Sequence, residues 1–120
     1  MPKIIAVDLD GTLATTTTDG SIGTPIKPMV DRILEWHDAG RDVAIFTARG
    51  DTQRQEIQAW LKTHGLPALN VTGVKTADML AFWDNKAVRV ETDTGVVCPK
   101  CEGFSKKSLN HSANLSRTDC

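Results

Sequence analysis

Three acidic side chains stand at the ends of apolar runs in this 120-residue chain. Asp8 and Asp10 come at the end of the run KIIAVDL, residues 3–9, and lead into Gly11 and Thr12. Thr47 closes the run beginning at Asp42, with Arg49 two positions on, and Asp84 and Asn85 close the run 79–83. Lys75 lies in the loop before that last run. Carboxylates brought together repel one another. A hard cation with oxygen ligands, Mg²⁺, relieves that repulsion, and a cation beside a lysine and a hydroxyl is a cradle for phosphate. Each residue also has a plainer use. Asp, Gly and Thr are ordinary turn formers, Thr47 suits a strand end, Arg49 suits a solvated loop, and Lys86 is an alternative to Lys75.

The elements that must bring these groups together are legible from hydrophobic period. The β-branched residues of 3–9 fall on both parities, as in a strand buried on both faces of a parallel sheet. A polar stretch follows, with Asp19-Gly20 as the centre of a tight hairpin or flap. Pro28 opens a helix carrying Met29, Val30, Ile33 and Leu34, stopped by Gly40. Residues 42–47 form a second strand. Thr52 with Gln55 predicts a capping box for a second helix with Ile57, Trp60 and Leu61 on one stripe, ended by Gly65. Short strands are expected at 69–72, 79–83 and 87–90. Strands alternating with helices predict an α/β class, a Rossmann-like three-layer fold with a mostly parallel central sheet and no separate cap domain. In such sheets reactive groups gather beyond the carboxyl ends of the strands.

With 40% hydrophobic and 24% charged residues, composition excludes a disordered or fibrous chain. The net charge of −1 gives no general attraction to nucleic acid or anionic membrane. No apolar run reaches the ~20 residues of a membrane span, and the first apolar stretch is too short for a signal peptide, so a cytoplasmic protein is expected. Residues 1–92 are expected to form the core and 93–120 a C-terminal extension. That extension holds Cys98-Pro99-Lys100-Cys101, a CxxC turn that places two thiolates on Zn²⁺ if His111 and Cys120 complete the set. A surface turn accounts for the same residues.

Taken in order, Asp8-Leu9-Asp10-Gly11-Thr12, Thr47 after Ala44-Ile45-Phe46, Lys75, and Phe82-Trp83-Asp84-Asn85 resemble the four motifs of the haloacid-dehalogenase-like superfamily. The resemblance covers residues 3–90 and implies a small capless Mg²⁺-dependent phosphatase. It implies that Asp8 is the nucleophile and forms an aspartyl-phosphate, and that Asp10 is the acid for the leaving group and then the base for water. It further implies Mg²⁺ on the Asp8 carboxylate, the Asp10 carbonyl and the Asp84 carboxylate, with Thr47 and Lys75 holding phosphate oxygens; near the mouth of the open site, Arg49 is a candidate to engage a large phosphorylated ligand. Lys27 and Arg54 stand near the mouth as further candidates. The fourth motif departs from the common acidic pair at Asn85. Phosphorylated nucleotides or nucleic-acid ends are the expected substrates, with a homo-oligomer among the expected arrangements and no membrane partner. The competing function is a phosphate-binding or interaction module of low turnover with a zinc-binding tail.

Overall fold

The computed structural model of the chain describes residues 2–101. The elements run β1 (Ile4–Val7), α1 (Lys27–Asp38), β2 (Asp42–Phe46), a 3₁₀ turn (Asp51–Gln53), α2 (Arg54–Thr63), β3 (Asn70–Thr72) and β4 (Met79–Trp83). The four strands form one all-parallel sheet in the order β3-β2-β1-β4, an α/β Rossmann-like architecture. Among the described residues no separate cap domain stands over it.

Register explains which side chains meet. Ile5 pairs with Val43, Val7 with Ile45 and Ile45 with Val71, so these five project from one face. Met29 and Ile33 of α1 and Ile57, Trp60 and Leu61 of α2 join them in one buried cluster. Both helices cross in the same direction along the sheet, and right-handed crossovers bring both onto the same face. Ala6 and Ala44 on the opposite parity are buried too, so the central strands are covered on both faces. That is why β1 and β2 read as continuous apolar runs.

The helix ends follow local chemistry. Pro28 occupies the first turn of α1, where its missing N–H costs nothing. Gly40 and Gly65 take φ of +78° and +75° just beyond the two helices, a conformation that glycine adopts without steric cost. The expected Thr52–Gln55 capping box does not form. Thr52 lies inside the 3₁₀ turn and the cap position of α2 is Gln53, whose side chain makes no capping bond. Its Oε1 accepts instead from Arg49 Nη1 at 2.6 Å.

The expected strand at 87–90 is also absent. Val90 makes an isolated antiparallel bridge with Val97, and Glu91 N donates to Val96 O (2.8 Å), so these residues turn back on themselves. The described chain divides after Asn85, and Lys86 opens a second compact unit. Cys98 and Cys101 belong to that unit, Cys101 being buried. His111, Cys120 and the rest of the expected zinc-binding extension beyond Cys101 lie outside the described residues. No helix among the described residues is long and apolar enough to cross a membrane.

Candidate active site

The sheet order places β2 and β3 on one side of β1 and β4 on the other, so the chain reverses its direction of winding at β1/β4. Ligands of open α/β sheets bind beyond the carboxyl ends of the strands at such a reversal. Asp8 and Asp84 are the residues that follow the pair Val7–Trp83, and Asp8 N donates to Trp83 O at 2.9 Å. Their backbones therefore leave the sheet side by side on adjacent strands, which lie ~4.8 Å apart. Both side chains are half-buried, as is Asp10.

Asp10 follows through a tight turn. Leu9 O accepts from the amides of Leu13 and Ala14, and Gly11 N donates to Ala14 O. Gly11 takes φ of +89°, and a Cβ built there would lie 2.5–2.9 Å from the three terminal atoms of the Asn85 side chain. Only glycine lets the end of β4 approach the first loop this closely. The orientation of the Asn85 amide that satisfies both its ends puts Nδ2 at 3.1 Å from Asp8 Oδ2 and 3.3 Å from the Asp10 carbonyl. The backbone N–H of Asn85 donates to Thr12 Oγ1 at 3.0 Å. Asn85 thus ties the first and last segments together, a role that neither its type nor its position in the sequence announces.

Thr47, one residue past β2, is buried, and its Oγ1 accepts from Arg49 N at 3.1 Å. Arg49 is turned towards Asp10 in a bidentate pair, Nε to Oδ2 and Nη2 to Oδ1, both at 2.8 Å. Such a fork is the strong geometry for guanidinium and carboxylate. The Asp10 hydrogen bond raises the Arg49 pKa further above its already high ordinary value, against the opposing effect of partial burial. Lys75 is exposed, with its ammonium 4.8 Å from the centroid of the Phe82 ring, two residues before Asp84. Lys27 and Arg54 pair within or beside their own helices, with Asp31 and Asp51.

Over this corner lies a hairpin-like flap, residues 15–24. Ala14 bridges Pro25, Thr15 N donates to Thr24 O at 2.8 Å, and Gly23 lies so close to Thr15 O that no side chain fits between them. At the tip, Asp19 accepts from both N and Oγ of Ser21. These two bonds hold the Asp19 carboxyl below its ordinary pKa. Trp60, expected only as core, also donates its indole N–H to Gly23 O at 2.9 Å. A buried indole needs an acceptor for its N–H, and that requirement is the signal which links α2 to the flap.

Among the described residues no three His, Cys, Asp or Glu side chains are grouped as a metal cage. The set Asp8 carboxylate, Asp10 carbonyl and Asp84 carboxylate contains two such side chains and a backbone oxygen, all hard donors of the kind Mg²⁺ takes.

No family model matches the chain. A 66-residue stretch is 27% identical to membrane-associated phosphatidylinositol transfer protein 3 of Mus musculus and of Homo sapiens, covering 54% of this chain. The match spans 7% of the length of those relatives. Among solved structures, a conserved protein of Bacteroides thetaiotaomicron aligns over 91% of both chains with a TM-score of 0.58 and 18% identity. At that identity the likeness establishes a shared fold, and the α/β architecture of this chain is accordingly one that a known protein adopts over its nearly whole length.

Proposed function

We propose that the chain is a Mg²⁺-dependent phosphatase of the haloacid-dehalogenase-like type, hydrolysing phosphomonoesters through an aspartyl-phosphate on Asp8. One observation carries the reading most: the Asn85 amide reaches both Asp8 Oδ2 and the Asp10 carbonyl, so the ends of β1 and β4 are in register as one site at the winding reversal of the sheet.

The Asp8 carboxylate attacks phosphorus while Asp10, carrying a proton on an oxygen that Arg49 has let go, gives that proton to the departing oxygen. Asp10 then takes a proton from the water that opens the acyl phosphate. The buried Thr47 hydroxyl, held by the Arg49 amide, has its hydrogen to donate to a phosphoryl oxygen. Lys75, whose ammonium lies 4.8 Å from the centroid of the Phe82 ring, would supply the cation that meets the phosphate dianion. The Asp8 and Asp84 carboxylates and the Asp10 carbonyl would hold Mg²⁺, which supplies positive charge to offset the approach of one anion to another. Asn85 keeps the Asp8 carboxylate oriented by donating to its Oδ2.

Release of inorganic phosphate from an aryl phosphate should require Mg²⁺, and Asp8→Asn should lower kcat by several orders of magnitude. Turnover that survives Asp8→Asn sinks the mechanism. The substrate class is decided by a panel of nucleotides, 3′- and 5′-phosphorylated oligonucleotides and inositol phosphates, the last suggested by the name of the curated relatives.

A second reading, a phosphate-binding module without turnover, is favoured by the tight engagement of Asp10 with Arg49. Mg²⁺-dependent binding of inorganic phosphate with no ester hydrolysed across the panel would select it.

A further inference from the structure

Arg49 uses every donor it has inside the chain. A guanidinium carries five N–H groups, and five bonds account for them. Nε goes to Asp10 Oδ2 and Nη2 to Asp10 Oδ1, each at 2.8 Å. Nη2 also reaches Ser21 O (3.0 Å), while Nη1 reaches Gly20 O (2.8 Å) and Gln53 Oε1 (2.6 Å). The side chain is only 12% exposed. No donor remains for a phosphate.

The flap explains what these bonds are for. Its base is held by strand-like pairing to the β1–α1 segment and by the Trp60 indole. Its tip is different. Residues 15–21 are all exposed and bury no apolar side chain, so hydrophobic packing contributes nothing to holding the tip in place. The bonds within the tip, from Ser21 to Asp19 and from Thr17 Oγ1 to Ser21 O, shape it without attaching it to the sheet. Arg49 supplies the attachment, through two backbone carbonyls of the tip.

We propose that Arg49 is a latch and a positioning residue, which closes the flap by its Gly20 and Ser21 carbonyls and orients the Asp10 carboxylate with the same plane. The same planar guanidinium carries both sets of bonds, so its loss frees the flap tip and the Asp10 carboxylate together. One side chain thereby serves both flap closure and the orientation of the Asp10 carboxylate. Asp10 is also the base that opens the acyl phosphate, so every ester depends on that orientation in the second half-reaction. The part concerning catalysis rests on the phosphatase reading, and the latch itself does not.

The test compares Arg49→Lys and Arg49→Gln with the parent chain. Amide hydrogen exchange across residues 15–24 should rise tenfold or more, the scale of losing charge-assisted bonds, while the sheet amides of Ala6 and Ala44 are unchanged. With Mg²⁺ present, kcat on an alkyl phosphate should fall by about ten- to a hundredfold. For p-nitrophenyl phosphate kcat should fall as well, because opening the acyl phosphate needs the same Asp10, while KM and inhibition by inorganic phosphate move less than about twofold on both esters. Unchanged flap exchange overturns the latch. A tenfold rise in KM and in the phosphate inhibition constant, with kcat preserved on both esters, overturns the positioning role and makes Arg49 a substrate ligand. If the parent chain hydrolyses neither ester, the phosphatase reading fails and the exchange data still decide the latch. Should the Gln variant not fold, the Lys variant decides, because it keeps the charge and the stem and loses only the fork.

Discussion

Asp8, Asp10 and Asn85 meet because Gly11 has no side chain. An alanine at Gly11 would need φ near +89° and would press its methyl into the Asn85 amide. We expect Gly11→Ala to cost about 1–3 kcal/mol in urea unfolding. The same change should reduce phosphate release, since Asn85 must yield its place beside Asp8. Asp19 offers a pH-dependent expectation. Hydrogen bonds from the hydroxyl and the amide of Ser21 favour its ionised form, so its pKa is depressed in the folded chain. The favourable turn is then fully present above the ordinary aspartate value of about 3.9 and is lost as pH falls through the lower folded value. An NMR carboxyl titration should find the Asp19 midpoint below the ordinary value, moving back towards it in Ser21→Ala. A midpoint at or above the ordinary value in the parent chain contradicts this.

Among the elements, α2 does two tasks. Its stripe of Ile57, Trp60 and Leu61 packs on the sheet, and the indole of Trp60 reaches past the core to carry the base of the flap. Trp60→Phe retains most of the ring and removes the N–H, leaving the Gly23 carbonyl without this donor. A loss of about 0.5–3 kcal/mol is expected, and flap amides should exchange faster near Thr24 than at the tip. The reverse gradient is expected for Arg49→Lys, so the two variants distinguish base from tip. The stripe itself was visible as a 3.6-residue period, because a helix face that packs on a sheet must be apolar. The start of the helix was not. Thr52 and Gln55 satisfy the capping pattern, yet residues 51–53 wind as a 3₁₀ turn and Gln53 bonds Arg49, a partner supplied by tertiary structure. The strand expected at 87–90 failed for a related reason. Its residues have strand propensity, but a strand needs a partner edge, and Val90 finds Val97 instead of the sheet.

For the molecule as a whole, the parallel order β3-β2-β1-β4 makes β1 and β2 the central strands, and Ile45 is fully buried between the two helices and the sheet. Ile45→Ala should cost about 2–5 kcal/mol in denaturant unfolding, as large-to-small changes in a packed core do. The loss should appear without a change in the Mg²⁺ requirement for phosphate release, because Ile45 points into the core and away from the strand ends. A stability loss below about 1 kcal/mol would mean that this core packs less tightly than its burial indicates.

Alternating apolar runs and helical stripes are local properties of the chain, and they sufficed for the α/β class, for the four strands that form, and for the gathering of Asp8, Asp10, Thr47 and Asp84 at strand ends. Period and turn chemistry decide those features within a few residues of each position. The long-range partners were decided by the folded chain. Arg49 and Asp10 are 39 positions apart and Asn85 and Thr12 are 73 apart, so nothing in the local sequence of either partner encodes the pairing. An arginine in a loop is free to bind solvent, substrate or protein, and only the fold brings Asp10 and two flap carbonyls within reach of a single guanidinium.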